Sequence, residues 1–112
     1  RDLRISSRLN DKGAGSPAIA WGAAAGHYLA AWTDARNVVM DGPDPLVGND
    51  VYGRRLGADG APAGPDLRLS TPTTSEIDAA VAAGSGWFFV AWGDERNADT
   101  TGTDIYGRRV SG

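Results

Sequence analysis

The chain has 112 residues, of which 41% are hydrophobic and 22% charged, and its net charge is −3. This composition excludes a disordered protein, and the absence of a basic cluster excludes a nucleic-acid-binding face. No cysteine is present, so a disulfide framework and a thiolate metal site are excluded; no apolar run is long enough for a membrane helix.

In chain order, the sequence predicts short strands separated by glycine- and proline-rich turns. A strand at 3–6 comes first. It is followed by strands at 18–23, 28–32, 51–56 and 67–70, and then by strands at 78–83, 87–92 and 105–110. The strand at 28–32 and its counterpart at 87–92 are apolar at nearly every position, as expected of strands covered on both faces. No segment has the 3.6-residue period of an amphipathic helix, so we predict an all-β protein.

Three segments of the sequence occur twice in the same order, which indicates an internal repeat. Residues 2–6 (DLRIS) recur 64 positions later as DLRLS. Residues 26–37 recur 60 positions later, and residues 50–56 (DVYGRRL) recur 54 positions later as DIYGRRV. Because the offset falls along the chain, the two copies differ by loop deletions and keep the same order of elements.

Four short strands in a unit of roughly 50 to 60 residues are typical of a β-propeller blade. We therefore interpret 1–112 as one two-blade unit, with blade 1 at 17–70 and the first three strands of blade 2 at 77–110. Residues 1–6 are predicted to be a spare fourth strand that completes a blade of a neighbouring chain. Two blades leave bare aromatic faces, so we expect closure as a head-to-tail homo-oligomer. A trimer with six blades is favoured over two or four chains, which would give four or eight blades.

The repeated segments also carry a family resemblance. The pattern WTDARN at 32–37 followed by DVYGRR at 50–55 returns as WGDERN at 92–97 and DIYGRR at 104–109. It resembles the repeats of large secreted bacterial proteins that are taken to form β-propellers. The resemblance implies a propeller fold and secretion, but those repeats have no uniform biochemical activity. The assembly resembles small propeller lectins that build six blades from three two-blade chains, although their sugar-site motifs are absent here.

The Asp-x-Arg-Asn element at the end of each second strand leads into a loop on the side of a propeller that usually receives ligands. In the structural interpretation, Asp34 and Asp94 accept backbone hydrogen bonds in the turn. Arg36 and Arg96 would then pair with the aspartates that open the third strands, Asp50 and Asp104. The alternative is a calcium site at Asp34 and Asp94, since calcium takes six to eight oxygen ligands. Further ligands would come from Asp41, Asp44, Asn49 and Asp99, and no other cofactor is predicted.

The aromatic residues divide into shared and unshared positions. Trp32 and Trp92 are equivalent, so we expect them to pack between blades. Trp21 aligns with Val81 and Trp87 with His27, and residues unique to one copy are better candidates for stacking against a sugar. Tyr52 and Tyr106 precede Gly53 and Gly107, where glycine is predicted to permit the approach of an aromatic ring from the neighbouring strand.

No motif for catalysis is present. His27 is the only histidine, and the adjacent Asp94 and Glu95 would point to opposite faces of a strand. We predict a non-enzymatic binding or scaffold module that is secreted, with extracellular glycan as the first ligand class. A purely structural propeller repeat, or a fragment of a larger secreted protein that mediates protein interaction, is the alternative, and a glycan-active enzyme is less favoured. The predicted ligand residues are Trp21, Trp87, Asp34, Arg36, Asn37, Asp94, Arg96 and Asn97.

Overall fold

The computed structural model describes residues 2–6, 14–35, 49–70, 76–94 and 102–112. Within these ranges the chain forms seven strands and no helix, which confirms the all-β prediction. The strands are β1 (Ala14–Gly22), β2 (His27–Asp34), β3 (Asp50–Leu56), β4 (Leu67–Arg68), β5 (Glu76–Ala83), β6 (Trp87–Asp94) and β7 (Asp104–Ser111). In these ranges, therefore, nothing has the length and apolar character of a membrane-crossing helix.

The strands form two antiparallel sheets. The first sheet has the order β1-β2-β3-β4, and the second sheet has the order β5-β6-β7. The central strands β2 and β6 consist mostly of aromatic and aliphatic residues, which suit a pleated, buried surface. Both sheets are simple meanders, so sequential strands are neighbours throughout.

The two sheets differ in the turn between their first two strands. In the first sheet this turn has four residues, and the N–H of Gly26, at a φ of 75°, donates to the carbonyl of Gly22 over 2.8 Å. In the second sheet the N–H of Gly84 donates to the carbonyl of Trp87 over 2.7 Å, which leaves a two-residue turn. Because of this shorter turn, Ala83 occupies the place of Trp21; Val81, which the sequence alignment matched to Trp21, lies two positions away.

A bulge interrupts the first strand of each sheet at the same place. The pairing register shifts between Gly15 and Ala18 in β1 and shifts in the same way in β5. Ser16 and Asp78 lie in these bulges with φ angles of 49° and 52°, and the Ser16 hydroxyl donates to Asp78 Oδ1 over 3.4 Å. The bulge lets both first strands extend toward the chain N-terminus beyond their predicted starts at 18 and 78.

Side chains alternate between the two faces of each sheet. The front face is defined by Tyr28, Ala30 and Trp32 in the first sheet and by their equivalents Phe88, Val90 and Trp92 in the second. The rear face is defined by Leu29 and Ala31 in the first sheet and by Phe89 and Ala91 in the second. The rear face of the first sheet packs on the front face of the second, and their buried residues form one apolar cluster that includes Leu29, Ala31, Val51, Leu69, Phe88, Val90, Trp92 and Val110.

A second apolar cluster lies on the front face of the first sheet. It contains Ala30, Trp32, Tyr52 and Leu56, and Ile5 of the N-terminal segment packs against it. Residues 2–6 contain no strand within this single chain. Their predicted pairing with a neighbouring chain concerns a second molecule and stays a prediction.

The fourth strand is shorter than predicted. Regular pairing covers only Leu67 and Arg68 of the predicted 67–70. Beyond it, the N–H of Leu69 donates to the carbonyl of Val51 over 2.8 Å, and the N–H of Val51 donates to the hydroxyl of Ser70 over 2.9 Å. The side chain of Ser70 therefore continues the attachment to β3 where the regular ladder ends.

Candidate functional site

The second strand of each sheet, β2 or β6, ends in a hydrogen bond between a tryptophan and an aspartate. The indole Nε1 of Trp32 donates to Asp34 Oδ2 over 2.8 Å, and Nε1 of Trp92 donates to Asp94 Oδ2 over 3.2 Å. Both aspartates are fully buried, and both indoles are at least 95% buried. The residues are two positions apart on one strand, so their side chains share a face and can meet. One oxygen of each carboxylate therefore accepts a side-chain N–H. The predicted backbone hydrogen bonds in the turn that follows stay a prediction.

A carboxylate cluster lies between the two sheets and was missed by the sequence analysis. The side chain of Glu76 shares hydrogen bonds with Asp50 and Asp94, and all three residues are fully buried. Burial, followed by the nearby charges of Asp50 and Asp94, raises the pKa of Glu76 from its ordinary 4.5 to about 8. At neutral pH the Glu76 carboxyl thus holds a proton that it can donate to its neighbours.

No repeat signal marked Glu76, because the pairing register puts Ala14 at the equivalent position of the first sheet. The contact with Asp50 depends on how β5 meets β3, where the N–H of Glu76 donates to the carbonyl of Asn49 over 2.8 Å. An acidic residue at the start of the alanine-rich strand β5 was the available hint, but only the packing of the sheets reveals its neighbours.

The buried Asp50 is partnered by an arginine that differs from the predicted one. Nη2 of Arg68 lies 2.7 Å from Asp50 Oδ2, so β4 supplies the cation. The predicted partner Arg36 lies outside the described residues, as do Asn37, Arg96, Asn97, Glu95, Asp41, Asp44 and Asp99. Asp104, the equivalent of Asp50, is half-buried at the start of β7.

Calcium binding at Asp34 and Asp94 stays a prediction. Across the described ranges, histidine, cysteine and acidic side chains form no group of three arranged to hold a metal ion. Asp34 and Asp94 each direct one oxygen at an indole N–H in their own sheet. The described geometry of these two carboxylates therefore favours the structural interpretation.

The predicted ligand residues that the structure describes, which are Trp21, Trp87, Asp34 and Asp94, do not form a single site. Trp21 is 44% exposed on the front face and packs on Tyr28 with ring centroids 4.8 Å apart. Both lie at the β1–β2 turn, whereas Asp34 lies six residues along β2 from Tyr28, about 20 Å away at the rise of a strand. The tryptophans and the aspartates that were grouped as ligand residues thus lie at opposite ends of the sheets.

Trp87 lies on the rear face of the second sheet. Its ring meets Phe89 edge to face, with centroids 6.3 Å apart, and the Arg109 guanidinium lies 5.3 Å from the ring centroid. Its six-membered ring also covers Gly84, where an added Cβ would come within 2.7 Å of the indole. Trp87 is therefore half-buried by its own sheet.

The two strand glycines admit different side chains. An added Cβ on Gly107 would come within 2.6 Å of the Phe89 ring, as the predicted aromatic approach requires. On Gly53 the nearest side chain is Leu69, with Cδ1 at 2.8 Å, so the predicted aromatic ring is replaced by an aliphatic group. The tyrosines before these glycines lie on the front faces, with Tyr52 buried and Tyr106 half-buried.

The outward faces carry exposed apolar side chains over shallow cavities. On the front face of the first sheet, Ile19 is 55% exposed, and a cavity of about 340 Å³ lies between the N-terminal segment and Trp32. On the rear face of the second sheet, Phe89 is 45% and Ile105 76% exposed, beside a cavity of about 310 Å³. In the described part of the chain, no second sheet covers either of these surfaces.

Equivalent arginines make equivalent contacts on the two front faces. Nη1 of Arg108 donates to the carbonyl of Leu69 over 2.9 Å, which joins the second sheet to the last segment of the first. Nη1 of Arg54 donates to the carbonyl of Ile5 over 3.0 Å. Arg54 corresponds to Arg108 and Ile5 to Leu69 in the repeat, so residues 2–6 lie on the first sheet as residues 66–70 lie on the second.

Comparison with protein-family models, with curated proteins and with solved structures finds no match to this chain. The resemblance to secreted propeller repeats stays a prediction.

Proposed function

We propose that the chain is a non-enzymatic, secreted β-propeller scaffold module whose two blades close into a ring with further copies of the chain. Three chains, giving six blades, form the ring that we favour, which lies within the four to eight blades usual for propellers. The observation that carries the proposal is the relationship between the buried and the outward faces. The contact between the two sheets joins a rear face to a front face, and the chain presents one further face of each kind.

Equivalent residues differ sharply in burial according to whether their face is covered. Leu29 is fully buried on the rear face of the first sheet, while its equivalent Phe89 is 45% exposed on the second. Val51 is fully buried and its equivalent Ile105 is 76% exposed. Covering these side chains in the same way would remove a large apolar area from water, which favours association.

The front faces show the same contrast. Val81 is half-buried and packs against the core between the sheets, while its equivalent Ile19 is 55% exposed. Because a rear face binds a front face, the contact between chains is head to tail, and such contacts close into rings when the rotation allows. A longer polypeptide with additional blades is the alternative source of the same covering faces.

The test uses one charged substitution on each outward face, Ile19→Glu and Phe89→Glu. Both side chains are about half exposed in the single chain, so we expect each variant to fold. Each variant loses one face and keeps the other. We therefore expect either variant alone to have the mass of one chain, and an equimolar mixture to form a complex of two chains through the remaining pair of intact faces.

The matched control is Ala58→Glu, which adds the same charge at an exposed position in the β3–β4 connection and should leave the mass of the assembled wild type unchanged. Variants that keep the wild-type oligomeric mass would contradict the proposal. So would a mixture that stays at the mass of one chain, because a head-to-tail contact requires the two variants to complement each other.

Glycan binding at Trp21 is the second candidate function. Ala83, the structural equivalent of Trp21, is exposed even though its sheet is covered on that face. The position thus lies at the rim of the contact between sheets, and Trp21 with Tyr28 would keep an aromatic surface in water after ring closure. Such a surface suits stacking against the apolar face of a sugar, because an indole presents a large, flat and partly polar ring.

A glycan array with the assembled protein tests this candidate. We expect bound sugars to be lost in Trp21→Ala and retained in the control Ala58→Glu, which changes an exposed residue in the β3–β4 connection. Tryptophan fluorescence titration with any sugar found on the array would measure the affinity. Equal binding by both variants would contradict a site at Trp21, and no binding by the wild type would leave the scaffold role alone.

A further inference from the structure

We infer that Arg4 of one chain forms an ion pair with Asp104 of the partner subunit, and that this pair fixes the register in which residues 2–6 join strand β7 of the partner subunit. The inference rests on the proposed ring and identifies the residues that hold its junction. It goes beyond the apolar faces, which favour association but do not by themselves set a strand register.

The N-terminal segment, residues 2–6, is held by a contact that occurs twice in the chain. The Arg54–Ile5 contact, at 3.0 Å, has the same donor and acceptor atoms as the Arg108–Leu69 contact, at 2.9 Å. Residues 66–70 include β4 and form the outer segment of the sheet that precedes the second sheet. By the same geometry, residues 2–6 lie where the outer strand of a sheet preceding the first sheet would lie.

Strand β7 has an edge at which residues 2–6 of another chain could pair. In the first sheet β3 pairs with β2 on one side and with β4 on the other. In the second sheet β7 pairs with β6, and no strand in the described part of the chain pairs with its other edge. A bare strand edge presents a row of backbone donors and acceptors that can pair with another chain.

The contacts between β3 and β4 within one chain show how β7 and residues 2–6 would meet between two chains. Arg68, opposite Tyr52 in the register, places Nη2 2.7 Å from Oδ2 of the buried Asp50. The repeat matches Arg4 to Arg68 and Asp104 to Asp50. If residues 2–6 contact β7 of the partner subunit as β4 contacts β3, Arg4 therefore lies next to Asp104 of the partner subunit.

Two neighbouring contacts of β3 transfer in the same register. Ser70 accepts the N–H of Val51, and Leu69 lies against Gly53. In the ring, the matching Ser6 would accept the N–H of Ile105 of the partner subunit, and Ile5 would lie beside the ring of Phe89 of the partner subunit, which covers Gly107 of the partner subunit. A shift by one residue would turn the Arg4 side chain away from the carboxylate, so a charge pair at this place distinguishes the correct register from slipped ones.

Charge reversal tests the pair in the full chain. Arg4→Asp and Asp104→Arg each place like charges at every junction, and we expect each to raise the concentration at which the ring half-dissociates by at least about tenfold. The double variant R4D/D104R restores opposite charges at every junction in reversed order. We expect its half-dissociation concentration to return close to that of the wild type, which also rules out misfolding as the cause of the single-variant losses.

Ala58→Arg and Ala63→Asp are the controls, because they introduce the same charges at exposed positions in the β3–β4 connection and should leave dissociation unchanged. Single variants that dissociate like an oligomeric wild type would overturn the ion pair while leaving the proposed ring intact. A double variant as weak as the single variants would also overturn it. A wild type with the mass of one chain would remove the ring itself, and the ion pair with it.

Discussion

The indole of Trp32 donates a hydrogen bond to the fully buried carboxylate of Asp34, two residues further along the same strand. Its equivalent in the second sheet joins Trp92 to Asp94. The shared Trp-x-Asp spacing therefore has a packing explanation: it supplies an acceptor for an indole N–H that burial removes from water.

Replacing Asp34 with a residue that has no hydrogen-bond acceptor should destabilise the fold more than replacing it with one that keeps an acceptor. We expect Asp34→Ala to lower the free energy of unfolding by about 2 kcal/mol or more, because the Trp32 N–H would be left buried without its acceptor. Asp34→Asn keeps an oxygen at the same place and should lower it by roughly half as much. Urea unfolding at pH 7 measures both, and equal effects of the two variants would contradict a role for the hydrogen bond.

The carboxylate cluster predicts a fall in stability as the pH rises. The pKa of Glu76 is about 8 in the folded chain and near 4.5 when the chain unfolds. The folded state thus holds the proton more tightly, so this stabilisation is complete below about pH 4.5 and is lost as the pH approaches 8.

Glu76→Gln isolates this contribution. The amide mimics a protonated carboxyl, so we expect the variant to match the wild type near pH 5 and to be the more stable protein near pH 8. Denaturant unfolding at fixed protein concentration measures the difference, with Asp59→Asn in the exposed turn as the control. A wild type and a Glu76→Gln variant with parallel pH profiles would contradict the raised pKa.

The close contacts around Gly53 predict that this strand position does not tolerate a side chain larger than that of glycine. An alanine Cβ there would lie 2.8 Å from Leu69 Cδ1 and 3.0 Å from the Ala30 carbonyl oxygen. We expect Gly53→Ala to lower the free energy of unfolding by about 1 to 3 kcal/mol, since the buried leucine would have to move. Gly64→Ala is the control, because no atom lies within 4 Å of its added Cβ, and an equal effect of the two variants would contradict the proposed crowding.

A chelator tests the calcium hypothesis directly. Since Asp34 and Asp94 bind the indoles of their own sheets, we expect excess EDTA to leave the melting temperature unchanged. A ligand that binds only the folded state stabilises it, so a fall of several degrees that added calcium reverses would show that these or neighbouring carboxylates hold the ion.

Mixing the two charge-reversed chains tests the number of chains in the ring. In an alternating ring of two or four chains, every junction between Arg4→Asp and Asp104→Arg has opposite charges, whereas a ring of three must contain one like-charge junction. We therefore expect the equimolar mixture to assemble more weakly than the double variant R4D/D104R. Equal assembly would contradict three chains and favour an even number.

The repeat made the order of strands predictable, because the matched segments contain the distinctive residues of the second and third strands. Asp34 pairs with Asp50 in the first sheet, and the residues that the repeat matches to them, Asp94 and Asp104, pair in the second. The first strands lack such markers. Their alanine-rich sequences could not locate the two-residue difference between the hairpin turns, so the partner of Trp21 in the repeat was misassigned.

Two contacts of the buried Asp50 were not predicted from the sequence. Arg68 reaches Asp50 from the short strand β4, and Glu76 reaches the same carboxylate from β5. The Arg68–Asp50 pair lies within the first sheet and joins two repeated segments. Glu76 and Asp50 lie in different copies of the repeat, where sequence matching gives no signal. The pairing of Asp50 with Arg36 stays a prediction, because Arg36 lies outside the described residues.

The molar mass in solution tests the central claim most directly. We predict that light scattering over a series of concentrations will give three times the chain mass of 11.6 kDa, with dissociation only on dilution. A folded protein that keeps the mass of one chain at the highest concentrations would contradict the claim that each outward face is covered by another copy.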